Sequence, residues 1–351
     1  MTMFGKTAYG GTVALTIGVV VVELLHAPTL VLFAVAALAL VGLAWVLGQA
    51  TESLGDHAGP RIGGILNATF GNAAELIITI FALAAGLTTV VKASILGSVI
   101  GNVLLVLGAS FLIGGLKNGT QRFSATLAGA NASMLAIVAV ALSIPTIFAT
   151  TGSNKGFWPT EYLSIEVAVV MLVLYILYLI FYFRHPEGTV TGAEEEEVPF
   201  SLVASLALLL GTTVAVAYVS EAFVGAIEPL VEETGISELF VGVILVPIVG
   251  NIAEHVVGVQ IAYKNRMDFS MAVSLGSSLQ VALFVTPILV FLGPLLGHPL
   301  DLVFSPLELS ALGAAVIVTA FISLDGESNW LEGAMLCGVY VIAALAFFFS
   351  P

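Results

Sequence analysis

Residues 28–49 read PTLVLFAVAALALVGLAWVLGQ and carry no charged side chain. A helix of about 20 apolar residues spans a bilayer. A segment of this kind therefore has one economical environment, and it recurs along the chain. Eleven spans are predicted, at about 8–25, 28–49, 62–86, 89–116, 123–149, 158–183, 200–222, 238–263, 270–296, 306–324 and 328–350. Charged residues make up only 9% of the chain, against roughly 25% in soluble domains, and the mean hydropathy is +1.11. So little charge cannot cover a soluble globule of 351 residues. The short alternating segments of a β-barrel are absent as well. The fold class read here is an all-α integral membrane protein.

The outline of the N-terminus, Lys6 followed by apolar 11–25, is that of a signal peptide. No small-x-small cleavage site follows and the next span starts at once, so it is kept as a helix. With the N-terminus inside, the inner segments hold Lys6, Arg61, Lys117, Arg122, Arg184, Lys264 and Arg266, and the outer loops only Lys92 and Lys155. That asymmetry places the N-terminus in the cytoplasm and the C-terminus outside. The net charge of −14 argues against nucleic acid as a partner. The lone cysteine, Cys337, cannot form an intrachain disulfide.

The longest polar connection, 184–199, reads RHPEGTVTGAEEEEVP and divides the chain. Its Glu194, Glu195, Glu196 and Glu197 read either as a solvated linker or as a cytoplasmic cation-sensing patch. The acidic stretch 221–238 is amphipathic and is expected to lie at the outer surface.

The motif GNAAEL at 71–76 returns as GNIAEH at 250–255, each inside an apolar run. Glu254 follows Glu75 by 179 positions, and Gly276 follows Gly97 by the same 179. At this one offset, without gaps, Leu66 meets Leu245, Asn72 meets Asn251, Ala93 meets Ala272, and Leu96-Gly97-Ser98 meets Leu275-Gly276-Ser277. Two motifs in one register point to an old duplication. The division is 1–27 as a helix outside the repeats, 28–183 and 200–351 as repeats of five spans each, and 184–199 as the linker. An odd number of spans turns the second copy upside down. Inverted repeats with polar interruptions at matching positions, around a midplane site, are secondary-transporter architecture.

A carboxylate at the bilayer centre costs about 2.5–3.5 kcal/mol on insertion scales. No lysine or arginine lies in the central part of any span, so Glu75 and Glu254 lack an obvious fixed partner. A mobile partner, cation or proton, fits better. Asn72 and Glu75 are three apart and share a helix face, as do Asn251 and Glu254. Two carboxylates and two amides form a hard oxygen site suited to calcium, which takes 6–8 oxygens. Backbone carbonyls freed near Gly71 and Gly250, or near Pro247, could complete it. Neighbouring carboxylates in low dielectric resist joint ionisation, so cation and protons displace one another.

Ser98 and Ser277 follow matched glycines, and Asn102 and Gln280 lie in the same spans out of register. Each either lines the pathway or packs helices. His255, beside Glu254, either tunes that carboxylate or makes a plain interhelical hydrogen bond. Glu23, Glu52, Glu166, Glu221, Glu308 and Glu332 fall near span ends and read as structural or interfacial.

ILNATFGNAAELIITIFAL (65–83) and GVILVPIVGNIAEHVVGVQIAYKNRMD (242–268) resemble the paired repeat motifs of cation/proton exchangers of the CAX type. KASILGSVIGNVLLVLG (92–108), VSLGSSLQVALFVTP (273–287) and DGESNWLEGAM (325–335) resemble that family too. The resemblance implies calcium/proton antiport in a prokaryotic cell membrane. It implies Glu75 and Glu254 as exchanging carboxylates, supported by Asn72 and Asn251, with Ser98, Ser277 and Gln280 lining the pathway. It also implies a homotrimer and no cofactor. Sodium/calcium exchangers of the wider superfamily carry Gly-Thr-Ser with proline before the acid; here Asn follows Gly and Ala precedes Glu, favouring proton coupling. The competing readings are a sodium-coupled calcium exchanger and a passive cation channel. An intramembrane hydrolase lacks a nucleophile–base constellation around His255.

Overall fold

The computed structural model describes residues 3–59, 63, 66, 67, 69–151, 157–184 and 200–350. Among them run eleven helices: α1 (Met3–Leu24), α2 (Thr29–Ala58), α3 (Ala73–Ala84), α4 (Thr88–Asn118), α5 (Ala125–Thr151), α6 (Phe157–Arg184), α7 (Leu202–Thr234), α8 (Glu238–Tyr263), α9 (Met267–Leu296), α10 (Pro306–Ile322) and α11 (Trp330–Phe348). Nine are long and apolar enough to cross a membrane; α3 and α10 are shorter. The chain is an all-α membrane protein, and each helix answers to one of the expected spans. The only strands among the described residues form a two-residue antiparallel pair, β1 (Gln121–Arg122) with β2 (Glu327–Ser328).

The helices sort by what surrounds them. α4 is the most enclosed of the spans, and α9 and α8 follow it. Large apolar side chains stand exposed along α1 (Val13, Ile17, Leu24), α6 (Val170, Val173, Leu177), α7 (Leu206, Leu210, Val214) and α11 (Val341, Ile342, Leu345). In water such continuous patches would drive association. In lipid they are the solvated surface.

Backbone-to-backbone packing holds the centre together. A Cβ at Gly97 of α4 would overlap the Val243 carbonyl of α8, and one at Gly242 would lie 2.5 Å from Ala93 Cβ and 2.8 Å from Val90 O. Only glycine lets these helices come so close. Gly276, the 179-offset partner of Gly97, has nothing within 4 Å of the equivalent point. The two matched helices are therefore packed differently.

Three π-helical stretches interrupt the central helices: Gly101–Val106 in α4, Val241–Leu245 in α8 and Val281–Val285 in α9. The first and third share the 179 register from Asn102 and Val281 onward. Such stretches are rare and concentrate at functional sites.

The two ends of the bundle differ. At one, Lys117 Nζ sits 3.4 Å over the Tyr263 ring and Arg122 pairs with Glu327 at 3.1 Å. At the other, Lys92 binds Asp301 at 3.0 Å and the Val303 carbonyl at 2.9 Å. There Ser164 Oγ and Thr146 Oγ1 also accept from Leu302 N and Phe304 N, each at 2.9 Å. The acidic stretch after 221 continues α7 past a bend at Ala226; Ile227 and Leu230 are buried while Glu228, Glu232 and Glu233 are exposed. Glu194–Glu197 lie outside the described residues.

Candidate functional site

α3 and α8 enter the centre differently although each carries a Gly-Asn-x-Ala-Glu motif. Residues 66, 67, 69 and 70 are helical, the helix breaks at Gly71–Asn72, and α3 resumes at Ala73 with Asn72 at φ −98°, ψ 24°. Glu75 thus stands in the first turn of α3, where its charge complements the helix dipole. α8 runs unbroken through Gly250 and Asn251 to Glu254. The span expected over 62–86 is thus interrupted near Gly71, where freed backbone carbonyls were expected, whereas the helix holds at Gly250, where they were expected equally.

The motifs interlock. A Cβ at Gly71 would lie 3.6 Å from Glu254 Oε1 and 3.4 Å from Gln280 Oε1. A Cβ at Gly250 would lie 3.3 Å from Glu75 Cβ and 3.5 Å from its Cα. The glycine of each motif leaves room for the glutamate of the other.

The hydrogen bonds cross in the same way. Ser98 of α4 donates to Glu75 and accepts from Asn251 Nδ2 at 3.0 Å. Ser277 of α9 contacts the Glu254 carboxylate, lies 3.1 Å from Asn72 Oδ1, and accepts from Asn102 Nδ2 at 3.0 Å. Each serine joins the glutamate of its own half to the asparagine of the other. Ser277 has a single proton to give but two acceptors beside it. Both are satisfied when Glu254 brings a proton of its own and Ser277 donates to Asn72.

Gln280 accepts from Asn72 Nδ2 at 2.7 Å, and Asn102 serves Ser277. These two residues, out of register in the sequence, take unequal roles here. His255 lines an apolar cavity of about 370 Å³ with Leu105, Val106, Ala109, Ile252 and Val259, and its Nε2 is buried without a hydrogen bond.

Among the described residues, three buried acceptor oxygens of the site have no donor: Glu75 Oε2, Asn102 Oδ1 and Asn251 Oδ1. Buried polar atoms are nearly always satisfied. No lysine or arginine among the described residues forms an ion pair with Glu75 or Glu254; the two salt bridges there join Lys92 to Asp301 and Arg122 to Glu327. An oxygen set with unspent acceptors and two carboxylates suits a hard cation. No group of three or more His, Cys, Asp or Glu among the described residues could hold a metal, so amide and hydroxyl oxygens must supply the rest of any shell. Access is unequal: Glu75 is 1% exposed, whereas Glu254 is only partly buried.

The acids assigned to span ends behave as expected where their contacts are resolved. Glu308 and Ser305 form a capping box at the start of α10, and Glu332 and Asn329 another at α11. Glu23 accepts from Tyr218 at 2.7 Å. Sequence reasoning did not single out Ser110 or Ser274, whose buried hydroxyls lie between the site and the Lys117 end. A serine in a helix gives no signal of its own.

The sequence model described as sodium/calcium exchanger protein matches residues 28–184 and 204–349. The chain belongs to that family. It is 45% identical over 338 residues to the Ca(2+)/H(+) antiporter ChaA of Bacillus subtilis (strain 168), covering 94% of this chain and 95% of the relative. To the Ca(2+)/H(+) antiporter of Aphanothece halophytica it is 42% identical over 344 residues, covering 93% and 92%. The structure of native YfkE superposes with a TM-score of 0.86 at 41% identity, covering 98% of this chain and 100% of the other. The relatives named are cation/proton exchangers, the branch that the motifs around Glu75 and Glu254 resemble, and they are transporters rather than enzymes.

Proposed function

We propose that this chain exchanges calcium for protons across a membrane, with Glu75 and Glu254 carrying either ion in turn. The observation that carries this reading is the crossed network Glu75–Ser98–Asn251 and Glu254–Ser277–Asn72 around two carboxylates that no lysine or arginine among the described residues neutralises. Calcium would draw on both carboxylates, the open oxygens of Asn102 and Asn251, and water. Protons would take its place by neutralising the carboxylates, so that both cargoes cannot be held together. The names of the relatives at 42–45% identity support calcium and protons as cargo.

The unequal packing of Gly97 and Gly276 and the break beside Asn72, absent beside Asn251, support alternating access. Two inverted halves in unlike conformations can exchange them and so turn the site from one side to the other. With the Lys117–Arg122–Lys264–Arg266 end facing the cytoplasm, calcium leaves the cell as protons enter.

Purified protein in liposomes, given a pH gradient without sodium, is expected to take up calcium, and a protonophore to abolish the uptake. Uptake that appears only with a sodium gradient would assign the chain to sodium-coupled exchange instead.

A further inference from the structure

Between the site and the Lys117 end lie four buried polar side chains, each with an unpartnered oxygen among the described residues. Ser110 of α4 is 0% exposed, Ser270 and Ser274 of α9 are 0% and 1%, and Gln121 is 2%. The three hydroxyls and Gln121 Oε1 have no hydrogen-bond partner among the described residues. Helical serines usually bond the carbonyl four residues back, as Ser278 does to Ser274 O at 2.8 Å. Ser110, Ser270 and Ser274 leave that option unused, although a buried polar group without a partner costs about 1–3 kcal/mol.

Gly258 of α8 shows where a seam runs. A Cβ there would lie 3.7 Å from Ser110 Oγ, 3.8 Å from Ser274 Oγ and 3.1 Å from Val106 Cγ1. Two hydroxyls from two helices thus face one notch in a third. One turn further along α4, Gly114 makes room for Gln121 Oε1, while Gln121 Nε2 donates to Ala262 O and Asn265 Oδ1, both at 2.9 Å. At the other end of the seam Ser277, bonded to Asn102, closes onto the site. Ser270, Ser274 and Ser277 are spaced four and three apart, one hydroxyl per turn of the same helix face. From Ser270 to Ser277 that is about 10 Å of helix.

We propose that Ser110, Ser270 and Ser274, with Gln121 at the outer end, hold a file of water that conducts protons between Ser277 and the Lys117 end of the bundle, apart from the cation's route. The idea rests on the exchange reading above. Hydroxyls a turn apart are too distant to bond one another and near enough for single waters to bridge. Each hydroxyl accepts one proton and passes on its own, so a proton entering at Ser277 releases one at the far end and no other bond changes. Calcium is excluded, because one oxygen per turn cannot replace a shell of six to eight. At the 179 offset Ser270 and Ser274 meet Val91 and Ile95, both buried; the unpartnered buried hydroxyl of the matched helix, Ser94, stands out of that register and alone, so the first half does not repeat the row.

The test compares two fluxes in liposomes. Calcium-for-calcium exchange, followed with isotope and no pH gradient, needs no proton movement; calcium uptake driven by a pH gradient does. The S110A/S274A double variant is expected to slow pH-driven uptake about tenfold or more while calcium-for-calcium exchange stays within about twofold. Both fluxes falling together, or neither changing, would overturn the proton file while leaving wild-type exchange intact. Wild-type protein without pH-driven uptake would remove the exchange reading, and the file with it.

Discussion

Ser98 accepts a hydrogen bond from Asn251 Nδ2 at 3.0 Å and turns its own hydroxyl to Glu75, although Asn251 lies 153 positions away in the other half of the chain. The asparagine of one motif thereby orients the donor that holds the carboxylate of the other. Hydrogen bonds to charged groups contribute about 1.5–3 kcal/mol. Asn251→Ala removes that support without touching either carboxylate. Calcium affinity, read by titration calorimetry on purified protein, should weaken by about 10–100-fold.

The carboxylates themselves should be indispensable to coupling. Glu75→Gln and Glu254→Gln keep shape and lose the charge, and each should abolish pH-driven calcium uptake in liposomes with an unchanged elution profile. A variant that transports at the wild-type rate would refute the two-carboxylate mechanism.

Calcium and protons should also compete in plain equilibrium binding. A protonated carboxyl must give up its proton before it ligates calcium, so binding releases protons and tightens as pH rises. Each proton displaced changes affinity by about tenfold per pH unit wherever that carboxyl is protonated in the free protein. Calcium titrations in weakly buffered solution with a pH dye should show acidification of the medium. An affinity flat from pH 5 to pH 8 would exclude the competition.

Much of this arrangement was legible before any coordinates. Apolar runs of bilayer length gave the eleven helices, and the 179 offset paired Glu75 with Glu254 and Ser98 with Ser277. That only the first of the two Gly-Asn pairs breaks the helix was not, because GNIAEH carries the same Gly-Asn and stays helical. Whether a glycine bends is decided by what packs on it, and identical dipeptides meet different neighbours in the two halves. The Asn72–Gln280 bond was hidden for a related reason: Gln280 has Gly101 as its register partner, so the repeat offered no second instance to compare.

That difference between halves makes a matched pair of glycines the most direct probe of the cycle. Gly97 lies against the Val243 carbonyl with no room for a methyl, whereas Gly276 at the same repeat position faces open space. Gly97→Ala must push α4 from α8, and overpacking of this kind costs about 1–3 kcal/mol. The melting temperature of the detergent-solubilised protein should fall. Gly276→Ala meets no clash and gains about 1 kcal/mol of helix propensity, so its melting temperature should hold or rise. If the halves exchange conformations during transport, Gly276 must take the crowded position that Gly97 holds now. Gly276→Ala should then be stable but slow, with turnover reduced and calcium binding retained. A Gly276→Ala variant that is both stable and fully active would show that α9 never closes as α4 does, and would count against exchange of conformations between the halves.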